Sequence, residues 1–204
     1  MNDFLIILDN GHGSDTKGKR SPLWPDLSQL LEWEYTREIA TRLEGELWRR
    51  GFKVRRLVPE DRDVPLRERC VRANELAKSH NPKKTILVSI HCDAAGNGQP
   101  MSARGWSVRV SKNASAKSKR MAMLFISAAK QADLKVREYS PAIPYWTQDL
   151  AICRDTICPA VLTENLFMDN KEDCHFLLSE EGKKTIINLH IEALTSIINE
   201  FKSE

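Results

Sequence analysis

Three short apolar segments constrain what this chain can fold into, because each is followed by a residue that can bind a metal or transfer a proton. The three residues are His12, His91 and Glu164. The segments cover residues 4–8, 85–90 and 159–163. Short β-rich apolar runs bounded by glycine, proline or polar residues indicate buried strands, and ligands of open α/β sheets collect beyond the carboxyl ends of such strands. The pattern predicts a metal-dependent hydrolase.

Strand and helix patterns alternate along the chain, which predicts an α/β fold. Gly51 is placed to end the first helix, and Pro65 suits the first turn of the second. Strands are expected at 4–9, 52–58, 85–91, 105–110 and 160–164, helices at 30–50, 63–80, 115–134 and 180–201, and irregular structure at 135–150. No repeat, low-complexity segment or linker interrupts this order. The 204 residues are therefore expected to form one domain, 1–204.

Composition excludes several classes of protein. The 41% hydrophobic and 29% charged fractions are those of an ordinary soluble domain, and the net charge of +3 slightly favours an anionic partner without indicating nucleic acid. Five cysteines without close CxxC spacing argue against a disulfide framework and favour synthesis in a reducing cytoplasm. We find no signal-peptide pattern and no apolar stretch approaching the ~20 residues of a membrane span, so no stable membrane insertion is expected.

A third metal ligand is expected from the helix at 30–50. Catalytic zinc usually takes three protein ligands that mix histidine and carboxylate. Glu32 shares the helical phase of the apolar face, whereas Glu34 lies about 200° away round the helix, so we prefer Glu32. A histidine at a strand end more often has a structural role, however. The residues alone leave the metal site and a purely structural role for His12 and His91 both open.

The chain resembles a known family in five motifs that occur in the same order. The segments and the family motifs they resemble are 7–13 (D-P-G-H-G), 32–51 (E-x6-I-A-x2-L…G), 66–74 (L-x2-R-x3-A-N), 89–91 (S-I-H-x-N) and 159–173 (P-A-V-L-x-E-x-G-F-x-x-N-x-x-D). Together they resemble the zinc-dependent N-acetylmuramoyl-L-alanine amidases of the Amidase_3 type, which hydrolyse the cell walls of bacteria and are also made by phages.

The resemblance implies a fold, a metal and a reaction. The fold would be a single-domain three-layer αβα sandwich, with a twisted, mainly parallel sheet and helices on both faces. One Zn²⁺ per chain would be bound by His12, Glu32 and His91, with Glu164 as the catalytic carboxylate. The substrate would be peptidoglycan, cut at the amide between N-acetylmuramic acid and L-alanine. Zinc would activate water and polarise the carbonyl, while Glu164 would move the proton to the departing amine.

Departures from the family pattern concern substrate contacts rather than the metal ligands. Asn10 replaces the usual proline, Asp93 the usual asparagine, and Asn165 and Leu166 stand where a small residue and glycine are common. Two alternatives stay open: a zinc peptidase that cuts within the stem peptide, and a catalytically silent peptidoglycan-binding domain. The expected absence of a leader and of a separate wall-binding domain fits an endolysin of a phage or prophage, although a host wall enzyme exported by another route remains open.

Three further expectations concern residues near these motifs. Arg69 is expected to be structural and to pair with a carboxylate. For Tyr145 and Trp146 there are two interpretations, residues that line a cleft or a hydrophobic cover on the core, and we prefer the second. Cys92 follows His91 directly, but alternation along a strand turns its side chain to the opposite face.

Overall fold

A six-stranded sheet lies between two layers of helices in the computed structural model, which describes residues 3–203. The strands are β1 (Leu5–Asn10), β2 (Lys53–Arg56), β3 (Thr85–Asp93), β4 (Ser107–Ser111), β5 (Trp146–Gln148) and β6 (Ala160–Phe167). The helices are α1 (Glu32–Arg49), α2 (Leu66–His80), α3 (Ala116–Gln131), α4 (Ala151–Arg154), α5 (Lys171–Leu178) and α6 (Glu180–Lys202), with a 3-10 turn at Pro82–Lys84. None of these helices is long and apolar enough to cross a membrane.

Strand directions bring the candidate site residues to one edge of the sheet. The strand order is β2-β1-β3-β6-β4-β5, and β1, β2, β3 and β6 run parallel to one another. β4 pairs antiparallel with β6, and β5 is parallel to β4. The carboxyl ends of β1, β3 and β6 therefore meet where β4 begins. The expected α/β fold with a mainly parallel sheet is confirmed.

The apolar strands are buried on both faces, which explains why they read as continuous apolar runs rather than alternating ones. Ile6 and Leu8 of β1 belong to the core on the side of α1, α3 and α6. Leu5 and Ile7 point the other way, into the smaller core covered by α2 and α4. Burial of both faces fixes the register of the strands, and with it the residues that emerge at their ends.

Helix ends agree with the sequence pattern to within a few residues. Gly51, just beyond α1, has φ 79°, a left-handed conformation that glycine adopts without strain. Pro65 directly precedes α2, one position earlier than the first turn. Ser115 caps α3, with its hydroxyl accepting a hydrogen bond from the amide of Ser118.

Three elements were not expected from the sequence. The prediction that residues 135–150 are irregular is wrong at β5, a three-residue strand too short to show alternation. The four-residue helix α4 lies between two expected elements. α5 is capped by Asn170, whose side chain accepts from the amides of Glu172 and Asp173, and this capping residue was a sequence indication of the helix. β6 also continues beyond its expected end at residue 164, to Phe167.

Candidate metal centre

Two histidines and one glutamate converge at the carboxyl ends of β1 and β3. His12 Nε2 lies 3.2 Å from Glu32 Oε2, and His91 Nδ1 lies 3.1 Å from Glu32 Oε1. The potential ligand atoms of the three residues all lie within 4.8 Å of one another. The imidazole rings are nearly perpendicular, with centroids 5.0 Å apart. The sequence-predicted ligand set is therefore brought together at one place.

The turn that carries His12 requires both of its glycines. His12 has φ 62°, so the chain reverses sharply after β1. A Cβ on Gly11 would lie 2.4 Å from His91 Cε1, and one on Gly13 would lie 1.9 Å from the amide nitrogen of Asp63. The ring of His91 thus packs directly on the backbone at Gly11, an approach that a side chain there would block.

Arg69 stabilises the same turn through hydrogen bonds to its backbone. It is 2% exposed, and its Nη1 donates to Asp9 Oδ1 at 2.8 Å and to the carbonyl of Asn10 at 2.6 Å. Its Nη2 donates to the carbonyl of His12 at 3.0 Å and to Asp63 Oδ1 at 2.9 Å. The expected carboxylate pairing of Arg69 is confirmed, and the contact with His12 shows that this arginine positions the backbone of a candidate ligand.

Glu32 opens α1 and is 1% exposed, whereas Glu34 is exposed, as the helical phase predicts. Oε1 of Glu32 accepts from the Cys92 amide at 3.0 Å. Burial raises the pKa of Glu32, but the neighbouring His12 and His91 outweigh this effect and hold the pKa well below its usual range. Oε2 is buried and accepts no well-aligned hydrogen bond from residues 3–203. A buried carboxylate oxygen with a free lone pair, facing two imidazoles, fits a bound zinc ion.

Glu164 lies directly across from His91 in the β3–β6 register. Its side chain is only 12% exposed, and within the described chain its Oε2 has no hydrogen-bond partner. Burial raises the pKa of Glu164 to about 7, against the opposing charges of Arg109 and His91. A carboxyl group with such a pKa can both accept and release a proton near neutral pH.

A β-bulge follows Glu164, because His91 pairs with Glu164 but Asp93 pairs with Phe167, which leaves one extra residue on β6. Bulges are common next to active sites, where they redirect side chains. Leu166, within the bulge, has φ 63°.

Asn165, within the bulge, connects β6 to β3 and to the residue that precedes β4. Its Nδ2 donates to the carbonyl of His91 at 3.0 Å, and its Oδ1 accepts from Trp106 Nε1, just before β4, at 3.0 Å. The departure from a small residue at this position therefore adds a fully buried bridge behind His91.

Arg109 and Arg137 are site residues that sequence reasoning missed. Arg109 Nε lies 3.3 Å from Glu164 Oε1, and its Nη2 lies 2.6 Å from Asp93 Oδ2. Arg137 Nη1 lies 3.5 Å from the same oxygen of Asp93. The carboxylate of Asp93, in place of the family's asparagine, was the one available sign that cations would gather here.

A cavity of about 330 Å³ lies beside the two histidines, which both contribute to its wall. It is lined in part by Val64, Leu150 and Ile152, with Asp63 and Asp149 also in its wall. Tyr145 packs against the larger core, and Trp146 Nε1 donates to the carbonyl of Arg137 at 2.9 Å, in keeping with the packing interpretation for these aromatic residues.

The thiol groups of the cysteines take no part in the candidate centre, although the backbone amide of Cys92 does. Cys92 is 5% exposed and its side chain joins the larger core, as strand alternation predicts. All five cysteines are free thiols.

The fold is a three-layer α/β domain. It places two histidines and the buried Glu32 beside the carboxyl group of Glu164, an arrangement typical of a metal-dependent hydrolase. The amino-acid sequence identifies the family to which the chain belongs within this class. The chain belongs to the Amidase_3 family, described as N-acetylmuramoyl-L-alanine amidase, which it matches over residues 6–196.

Individual relatives agree with this assignment. The endolysin of Bacillus phage SPP1 is 27% identical over 199 residues, which cover 96% of this chain and 66% of the endolysin. The chain thus spans just under two thirds of the length of that relative. Among solved structures, the N-acetylmuramoyl-L-alanine amidase from Clostridium difficile 630 superposes with a TM-score of 0.80 at 22% identity, with 98% of each chain covered. The catalytic domain of the amidase CwlV from Bacillus (Paenibacillus) polymyxa var. colistinus gives 0.76 at 20% identity, covering 96% of this chain and 98% of that domain. At these identities the structural likeness shows the shared fold.

Proposed function

We propose that this chain is a zinc-dependent amidase that hydrolyses the bond between N-acetylmuramic acid and L-alanine in peptidoglycan. The observation that carries the proposal is the pairing of Glu32 with one histidine at each carboxylate oxygen, next to the buried carboxyl of Glu164. Membership of the Amidase_3 family supports the choice of substrate bond. His12, Glu32 and His91 would hold one zinc ion per chain.

Different residues of the chain would carry out different steps of amide hydrolysis. Zinc, when bound, supplies a Lewis acid that polarises the scissile carbonyl and makes water a stronger nucleophile. Glu164 accepts the proton of the attacking water and then delivers it to the amine nitrogen of L-alanine as the C–N bond breaks. Arg109, 3.3 Å from Glu164 Oε1, provides the nearby positive charge that stabilises the ionised carboxylate in a buried position.

Hydrogen bonds to the proposed ligands pre-organise this site before substrate binds. Arg69 fixes the carbonyl of His12, Asn165 fixes the carbonyl of His91, and the amide of Cys92 orients Glu32. Such supporting partners hold ligands in the geometry that a metal requires. The proposed setting is the bacterial cell wall, where an endolysin acts; the phage relative supports it.

Mass spectrometry of digested cell-wall sacculi tests the proposal. We expect the unmodified protein to release intact stem peptides that begin with L-alanine and to leave lactyl-terminated glycan. Glu164→Gln keeps the size of the side chain but cannot accept the proton, so release should fall by about 10²–10⁴-fold. Bound zinc, measured by elemental analysis, should be unchanged.

Other outcomes decide between the alternatives. Shortened stem peptides would identify a peptidase, and no release from zinc-loaded protein would identify a silent binding domain. Loss of zinc in Glu164→Gln would make Glu164 a ligand. Full activity in metal-free protein would contradict the zinc mechanism.

A further inference from the structure

A group of three charged residues lies beside Glu164, and the proposed hydrolysis gives a role to only one of them, Arg109. We call it the arginine flank and define it as Asp93 at the end of β3, Arg109 on β4 and Arg137 in the loop before β5. Asp93 Oδ2 contacts both guanidinium groups, at 2.6 Å to Arg109 Nη2 and at 3.5 Å to Arg137 Nη1. Arg137 is thus the second cation outward from the catalytic carboxyl, and the mechanism gives it no role.

Arg137 is held in place although it lies at the surface. Its guanidinium carbon lies 4.6 Å from the centroid of the Phe167 ring and 5.5 Å from that of Trp146. Its amide donates to the carbonyl of Trp106 at 2.7 Å, and its own carbonyl accepts from Trp146 Nε1. Contacts of this kind orient an arginine before binding, so less conformational entropy is lost when a ligand arrives.

The donors of Arg137 are available, in contrast to those of Arg109. Arg109 donates Nη1 to Gln148 and Nη2 to Asp93, at 2.5 and 2.6 Å. Within residues 3–203 the guanidinium of Arg137 makes no hydrogen bond, since its 3.5 Å approach to Asp93 is an ion pair at long range. A guanidinium has five N–H donors in a planar fork, and the side chain of Arg137 is 33% exposed.

We propose that Arg137 binds a carboxylate of the stem peptide and makes the enzyme prefer stems whose carboxylates are free. This inference rests on the proposed amidase function. The planar fork of arginine matches a carboxylate in bidentate geometry. The cavity beside the histidines has three aspartates, Asp9, Asp63 and Asp149, in its wall against one arginine, Arg69, so its charge disfavours an anionic part of the substrate. The anionic stem then lies along the arginine flank, with the scissile amide beside Glu164.

The test uses two soluble muramoyl-peptides that differ only in whether their stem carboxylates are free or amidated. We expect the unmodified protein to favour the free form by about tenfold or more in kcat/KM, chiefly through KM, because a charge-assisted bidentate contact is lost on amidation. In Arg137→Met, which keeps an unbranched apolar stem against Phe167 and Trp146, this preference should fall to within about twofold. Arg137→Lys should retain part of it.

Arg49→Ala is the matched control, since Arg49 pairs with Glu46 at the far end of α1 and should leave both rates and their ratio unchanged. Equal cleavage of the two substrates by the unmodified protein would overturn the proposal. So would an equal loss on both substrates in Arg137→Met, because that result indicates a structural role.

Calorimetric binding of the two substrates to zinc-loaded Glu164→Gln separates this proposal from the amidase function. Failure of the unmodified protein to cleave either substrate would reject the amidase function. The proposal on Arg137 would still be decided by binding, with preference for the free carboxylate that is lost in Glu164→Gln/Arg137→Met supporting it, and equal affinities rejecting it.

Discussion

The two sides of Glu164 are built differently. On the side of β1 and β3, Arg69 is buried and makes four hydrogen bonds around the turn that carries His12. On the side of β4 and β5, Arg109 and Arg137 are 19% and 33% exposed, and Arg137 has unused donors. The side built around Arg69 is therefore the rigid side and suits the placement of ligands, whereas the more open side suits contact with substrate.

We expect the strongest loss of function on the rigid side, at the carboxylate between the histidines. Glu32→Ala should lose bound zinc almost completely, because it removes a proposed ligand and the carboxylate that pairs with both imidazoles. Glu34→Ala, two residues away and exposed, should keep zinc at the unmodified level. Elemental analysis after dialysis measures both, and changes at supporting positions cost only about 10–100-fold in affinity. Equal zinc loss in the two variants would show that the ligand set is wrong.

The rigid side was predictable from the sequence because parallel strands bring their carboxyl ends to one edge whatever their order. His12, His91 and Glu164 each follow an apolar run, and helical phase alone distinguishes Glu32 from Glu34. No such rule applies to Arg109 and Arg137. Their positions depend on β4 pairing antiparallel with β6 and on the three-residue strand β5, and neither choice of partner is encoded in a local pattern of residues.

Asn165 shows the same limit from within a recognised motif. The sequence marks it as a departure from a small residue, but its role depends on the bulge, which brings its amide to the carbonyl of His91. Residues that act through a local irregularity of the backbone become visible only when that irregularity is known.

A stability measurement compares the two sides directly. Arg69→Met should lower the free energy of unfolding by about 3–5 kcal/mol, because it leaves the carboxylate of Asp9 buried without its cation. Arg109→Met should lower it by only about 1–2 kcal/mol, since its partners are nearer to solvent and Asp93 keeps Arg137. Urea denaturation at pH 7 provides both values. A loss in Arg109→Met as large as that in Arg69→Met would contradict the proposed difference in rigidity.

The effect that is smallest at neutral pH concerns β6, the strand that both sides share. His190 supports it from behind: its Nε2 lies 3.1 Å from Thr163 Oγ1, and its Nδ1 lies 2.8 Å from the carbonyl of Ile186. Burial lowers the pKa of His190 to about 4. Between about pH 6.5 and 4 the unfolded chain binds a proton at this residue that the native protein does not, so stability falls as the pH falls, by about 3 kcal/mol in all.

His190→Gln should flatten this part of the stability curve, because an amide can replace both hydrogen bonds without titrating. Asn188→Gln, at an exposed position of the same helix, changes an amide without removing a titratable group and should leave the slope as it is. Thermal or urea unfolding from pH 7 to pH 4 compares the three proteins. An unchanged slope in His190→Gln would mean that other groups account for the loss of stability in acid.

Leu166 has the left-handed backbone conformation that a glycine usually adopts at this position in the family. A leucine at φ 63° costs about 1–2 kcal/mol relative to a right-handed conformation, and glycine, common here in the family, would avoid that cost. The bulge is nevertheless present, held by the pairing of β6 with β3 and by the buried side chain of Leu166 itself. A search pattern that demands glycine two residues after the proposed catalytic glutamate would therefore pass over this chain. Relatives with another large residue at that position are therefore candidates for the same β-bulge.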